Sequence, residues 1–224
     1  MDLPRPAASR LTSREGPIAR ARRGRLMAAR WLSRCAVALL AAQSAHAAPW
    51  AVRLRTASGA PLADAVVAVE LNGQPAKPAT QATAQMEQRK REFQPHVLVV
   101  QTGTAVSFPN FDTVRHHVYS FSPTKTFDIR LYAGTPAQPV VFDRPGVATL
   151  GCNIHDRMSA HVVVVDTPLF GKSDAQGWLR LDLPPGQHRL LLWHPRFDAP
   201  TLHSQPLTVD KDGTPLELTL ELAD

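Results

Sequence analysis

Cys152-Asn-Ile-His155-Asp-Arg-Met158 puts a thiol, an imidazole and a thioether on one short stretch of chain. A second imidazole is offered upstream by Arg115-His116-His117-Val118. Thiolate and thioether are soft donors and imidazole suits most late transition metals, whereas magnesium and calcium want oxygen. The set therefore points to a soft transition-metal site. On a strand, His116 and His117 face opposite ways, so only one of them can join Cys152 at a single ion. Tyr119 and Phe121 share a face with His117, and that apolar face could be the inward one. On spacing alone both histidines stay open.

Four donors from separate segments need a frame that brings them together. The chain past residue 48 shows no long helical period. Short apolar and β-branched runs alternate with turn residues, the pattern of an all-β sandwich or barrel. Expected strands are Trp50–Thr56, Ala65–Leu71, His96–Gln101, Ala105–Phe108, His117–Phe121, Pro139–Phe142, Ala148–Cys152, Ala160–Val165, Trp178–Leu183, His188–Trp193 and Leu216–Leu222. Breaks fall at Asn72-Gly73, Gly103, Pro145-Gly146, Pro184-Pro185-Gly186 and Asp212-Gly213. Gln74–Gln88 is polar and rich in Ala and Gln, which predicts a linker or an exposed loop.

Residues 1–47 read as an export signal rather than as fold. Arginines through Arg34 form a basic region, Cys35–Ala42 a short apolar core, and Ala45-His46-Ala47 a small-x-small cleavage signature. The apolar run is too short to span a bilayer. Secretion, most simply to a periplasm, follows. Nine of the chain's 25 basic residues and two of its 19 acidic ones lie in this segment, leaving 16 basic and 17 acidic, a net charge of −1. The basic character belongs to the leader, so nucleic-acid binding loses its electrostatic support. Cys35 leaves with it, and Cys152 then has no partner for an intramolecular disulfide. An unpaired thiol in an oxidising compartment is a liability unless buried, reactive or bound to metal.

The surrounding frame carries a family resemblance. Phe93-Gln-Pro95-His-Val-Leu-Val-Val-Gln-Thr-Gly103, Val106-Ser-Phe108-Pro-Asn110-Phe-Asp112, His116, and Phe142-Asp-Arg-Pro145-Gly146-Val-Ala-Thr-Leu-Gly-Cys152 together resemble the cupredoxins, nearest the plastocyanin–amicyanin branch. Val162–Val165 matches that branch's closing strand. More narrowly, Phe108-Pro-Asn110, His116-His-Val-Tyr-Ser120 and Cys152–Asp156 resemble bacterial methylamine-utilisation proteins. The resemblance covers residues 86–166 and implies a Greek-key β-sandwich holding one type 1 (blue) copper that cycles between Cu(II) and Cu(I). It implies His116, Cys152, His155 and Met158 as ligands, with Met158 the weak axial one. His117 then takes the place of an asparagine that ties the two ligand loops together, and Asn153 completes that link from the other side. Ile154 stands where the family usually has proline.

The flanks resemble a different β-sandwich. Val52–Glu70 and Asp174–Leu190 are similar to the two halves of the transthyretin-like, carboxypeptidase-regulatory type. The expected organisation is residues 48–85 plus 167–224 as one split sandwich, with the cupredoxin domain 86–166 inserted; tandem domains are the alternative. Gly151 and Asn153 flank Cys152 where multicopper oxidases place histidines. No nucleophile triad, paired-carboxylate signature or phosphate-cradling loop is present. A non-enzymatic electron carrier with protein redox partners is the expectation, ahead of copper storage or delivery, or of a structural sandwich with a vestigial site. His96, His161, His188, His194 and His203 read as satisfied edge or surface residues, and Arg89-Lys90-Arg91 as a solvated charge run.

Overall fold

Runs of consecutive valine dictate the architecture, because a strand apolar on both faces must lie between two packed layers. The structure, a computed structural model, describes residues 47–223. The export segment expected over 1–47 lies outside the described residues, apart from Ala47. The chain is all-β. The first strands are β1 (Ala48–Thr56), β2 (Val66–Leu71), β3 (Thr83–Gln85), β4 (Glu87–Arg89), β5 (Glu92–Gln94) and β6 (Val97–Gln101). Next come β7 (Thr104–Ser107), β8 (His116–Ser122), β9 (Lys125–Tyr132), β10 (Val140–Phe142), β11 (Gly146–Gly151) and β12 (Ser159–Val165). The last are β13 (Phe170–Lys172), β14 (Trp178–Leu183), β15 (Gly186–Trp193), β16 (His203–Val209) and β17 (Leu216–Leu220). Among the described residues no helix is long and apolar enough to cross a membrane.

Four sheets stack with three apolar layers between them. The sheet β14-β1-β17 faces β13-β2-β15-β16 across Trp50, Val52, Leu54, Val67, Val69, Leu190 and Leu192. The other face of β2 and β15 gives Val66, Ala68, Leu191 and Trp193, which pack on Val97, Val147, Val163 and Val165 of the sheet β6-β12-β11-β8-β9. That five-stranded sheet turns Val118, Ala148, Leu150, Val162 and Val164 toward Val106, Phe108 and Phe142 of β10-β7-β3. Strands β2, β12 and β15 thus divide their alternating side chains between two cores. That is why Val66–Val69 and Val162–Val165 are apolar without a break.

Strand pairing keeps distant parts of the chain together. β1 pairs antiparallel with β14 and parallel with β17, and β2 pairs antiparallel with β13 and β15. The strands between residues 83 and 165 pair only among themselves. The Gln74–Gln88 segment is the exposed loop its composition predicts only as far as residue 82; the rest departs from it. It contains β3, which pairs in parallel with β7, and β4, which forms a hairpin with β5. Ala84, Met86 and Gln88 alternate inward, and Met86 and Gln88 are fully buried. A two-residue period written in small and polar side chains hides the strands from a hydropathy reading. β9, β13 and β16 are further strands outside those expected from the sequence: β13 is only three residues long and β16 is interrupted by Pro206, whereas β9 carries a clear two-residue alternation in Phe127, Ile129 and Leu131.

Candidate metal centre

The site forms where β8, the end of β11 and the turn into β12 meet. β8 alternates strictly, with His116, Val118 and Ser120 turned in and His117, Tyr119 and Phe121 turned out. Of the adjacent histidines, His116 faces Cys152 and is fully buried. His117 lies on the other face, hydrogen-bonded to Asp128 and edge-on to the Tyr119 ring at 5.4 Å. The apolar face of Tyr119 and Phe121 is thus the outward one, and Phe121 is 76% exposed.

Three donors converge. His116 Nδ1 lies 3.9 Å from Cys152 Sγ, and His155 Nδ1 lies 3.8 Å from it on another side. All three donor atoms fall within 4.8 Å of one another, and the two imidazole centroids are 5.0 Å apart. Metal–nitrogen and metal–sulfur bonds of about 2.0 and 2.3 Å, set about 120° apart, separate N from S by ~3.7 Å. A trigonal ion between these atoms therefore fits the spacing as it stands. Cys152 is buried and is a free thiol, whereas His155 is only partly covered and follows Ile154, which is 46% exposed.

Met158 ends a turn in which its N–H donates to the His155 carbonyl at 2.9 Å. Its side chain is buried in the core that contains Cys152, and both line one shallow surface cleft. Asn153 is exposed, and neither its side chain nor His117 bonds across to the other ligand loop among the described residues. His117 is held instead on the outward face. β9 supplies Asp128 directly opposite that stretch of β8 and draws the His117 ring toward it.

Polar groups around His116 hold that side chain from behind. Asp112 Oδ2 accepts the His116 Nε2–H at 2.8 Å, which leaves Nδ1 as the ring atom free to face Cys152. The Asp112 carboxylate also accepts the backbone N–H of Lys90 at 2.7 Å and of Arg91 at 2.8 Å. Burial pushes the Asp112 pKa up, but the Arg91 N–H, His116 and the Lys90 N–H outweigh it and hold the group below its ordinary value. Asn110 braces the same loop. Its amide donates to the carbonyls of Val114 and Tyr132 at 2.8 and 3.1 Å, and its oxygen accepts the Asp112 N–H at 2.9 Å. Tyr132 in turn donates to the Phe108 carbonyl at 2.6 Å, and burial is the main cause that pushes its hydroxyl pKa up to about 12. The signal for this network was in the sequence as Asn110-Phe-Asp112, with Asp112 four residues before His116.

No protein-family model and no curated protein sequence matches the chain. Several solved structures are similar to part of it. The copper-containing nitrite reductase (NirK) of Thermus scotoductus SA-01 is 23% identical, with 42% of this chain covered, 26% of that one, and a TM-score of 0.36. The chain thus spans about a quarter of that reductase's length. The purple cupredoxin of Nitrosopumilus maritimus is 24% identical over 36% of this chain and 98% of its own, with a TM-score of 0.32. A reduced tryptophan-to-tyrosine mutant of amicyanin is 19% identical over 41% of this chain and 91% of its own, with a TM-score of 0.34.

Proposed function

We propose that this chain is a secreted or periplasmic blue-copper protein that passes single electrons between protein partners. The observation that supports it best is the convergence of His116 Nδ1, Cys152 Sγ and His155 Nδ1 within 4.8 Å. His116, Cys152 and His155 are the equatorial ligands in this reading, and Met158 the axial one. Copper held there supplies a one-electron Cu(II)/Cu(I) couple. The protein's part is to keep the geometry fixed in both states and to keep water out. Burial of His116, Cys152 and Met158 serves the second purpose, and the turn closed by the Met158 N–H serves the first. His155 is the partly exposed ligand and hence the port through which electrons enter or leave.

In this proposal a cupredoxin domain is inserted into a carboxypeptidase-regulatory-like sandwich; its boundary lies before β3 (Thr83–Gln85), which pairs with β7, rather than at the residue 85/86 junction expected from the sequence. The pairing of β1 with β14 and β17, and of β2 with β13 and β15, supports the insertion over a tandem arrangement. Loading purified protein with one equivalent of Cu(II) tests the functional reading. An intense thiolate-to-copper absorption band is expected, lost in Cys152→Ala, with reversible one-electron voltammetry. A colourless protein that takes only Cu(I) would favour copper storage or delivery instead. Failure to hold any stoichiometric copper would sink both.

A further inference from the structure

The Lys90–Arg91 turn joins β4 to β5 with both residues in the left-handed region, at φ of 58° and 61°. Tight hairpin turns with positive φ at both central residues favour Asn and Gly, and a Lys-Arg pair bears strain there. Such strain persists only where surrounding contacts overdetermine it, and it clusters at functional sites. Here both turn N–H groups aim at the two oxygens of Asp112, and one of those oxygens takes the His116 Nε2–H. The hairpin is also docked through Gln88. The Gln88 N–H donates to the Pro109 carbonyl at 2.9 Å, and the Phe111 N–H to the Gln88 carbonyl at 2.9 Å.

We propose that Asp112, clamped by the Lys90–Arg91 turn, is the positioning residue of the metal centre: it fixes His116 as an Nδ1 donor, and its negative charge favours the more oxidised ion. The proposal rests on the copper reading above. A carboxylate fixed behind a ligating imidazole keeps the ring's proton on the far nitrogen and raises the ligand's basicity. A nearby negative charge opposes the arrival of an electron, and half-buried surroundings weaken that effect less than open water would. The hairpin 87–94 thereby joins the two ligand loops as a determinant of the site.

Asp112→Asn keeps the shape and removes the charge; Asp112→Ala removes both. In copper-free protein, long-range proton–nitrogen spectra are expected to show a slowly exchanging Nε2 proton on His116, and both variants are expected to speed its exchange. Arg91→Pro deletes one turn donor and cannot adopt the turn's φ, but leaves Asp112 and the ligands, and is expected to speed it too. In copper-loaded protein, Asp112→Asn should retain the thiolate band and shift the ratio of Cu(I) to Cu(II) binding constants by about tenfold toward Cu(I), a rise of about 59 mV. Unaltered exchange in Asp112→Asn and Asp112→Ala overturns the positioning role, and an unaltered potential overturns the role of the charge. If the protein takes no copper the blue-copper reading fails, and the copper-free spectra still decide whether Asp112 holds His116.

Discussion

The Tyr119 ring fills the space where a side chain at Gly151 would begin: a Cβ there would stand 2.7 Å from the Tyr119 hydroxyl and from the ring carbon that bears it. The two residues face each other on paired strands, β8 and β11, one position before Cys152. The residue leading into the thiolate is therefore small because an aromatic ring from the neighbouring strand lies across it.

Gly151→Ala should displace that ring rather than the strand, because the contact is with the far end of a side chain on the outward face. A loss of about 1–2 kcal/mol is expected from this overpacking. In the Gly151→Ala, Tyr119→Ala double variant much of the loss should vanish, a non-additivity that thermal or denaturant unfolding of the four proteins would read. Strict additivity would mean that the two residues do not meet.

Met158→Leu is a volume-conserving change in a packed core, so the copper-free protein should lose less than about 1.5 kcal/mol of stability. In the copper-loaded protein the thiolate band should persist while the potential rises, since a weak donor to the oxidised ion is gone. Voltammetry checks this, and an unchanged potential would remove Met158 from the axial position.

Stability should fall as the pH drops below about 6.5. His161 lies against Trp193 with ring centroids 4.9 Å apart, and burial is the main cause, with His96 second, that lowers its pKa from 6.5 to about 4. The unfolded chain takes up this proton near 6.5 and the folded one only near 4, so the stabilisation is complete above 6.5 and is lost as the pH falls toward 4. His194, also lowered chiefly by burial, acts in the same direction. The ring of His161 is partly solvated, which limits the loss to the order of 1–2 kcal/mol. Denaturant melts between pH 7.5 and 4 should show the slope, and His161→Gln should flatten part of it.

Trp193 is buried in the apolar layer between the middle two sheets, and among the described residues its indole N–H finds no hydrogen-bond acceptor. Trp193→Phe discards that unpaired donor while keeping most of the packing, so it should cost about 1 kcal/mol or less. Trp193→Ala opens a cavity and should cost about 3–5 kcal/mol. Equal losses in the two variants, read by thermal unfolding, would show that the indole N–H has a partner after all.

The donor residues were legible in the sequence because their chemistry is rare: a thiol, two imidazoles and a thioether at short spacing have few other uses. The choice between His116 and His117 was not settled by spacing, since it depends on which face of β8 meets a core. Tyr119 and Phe121 look like core residues in the sequence, yet they form an outward aromatic row. The valine runs announced strands but not the stacking of four sheets, because double burial depends on what packs against the second face. Asp112 escaped notice for a related reason. Its partners, the N–H groups of Lys90 and Arg91, belong to backbone, and backbone geometry leaves little trace in residue types.

The hydrogen bond from the Ala76 N–H to the Asp166 carbonyl, at 2.6 Å, joins the point where the chain leaves β2's neighbourhood to the point where it returns. Everything between these residues starts and finishes at one spot. A segment that gathers its own ends when it folds spares its surroundings most of the entropy of closing so long a loop, which for a flexible chain grows with the logarithm of its length. A whole folded body can thus ride on the outer strands at little more thermodynamic expense than a tight turn. Replacing that segment by a short connection would leave the pairing of β2 with β15 in register but would bare Val66, Ala68, Leu191 and Trp193 on the face it covers.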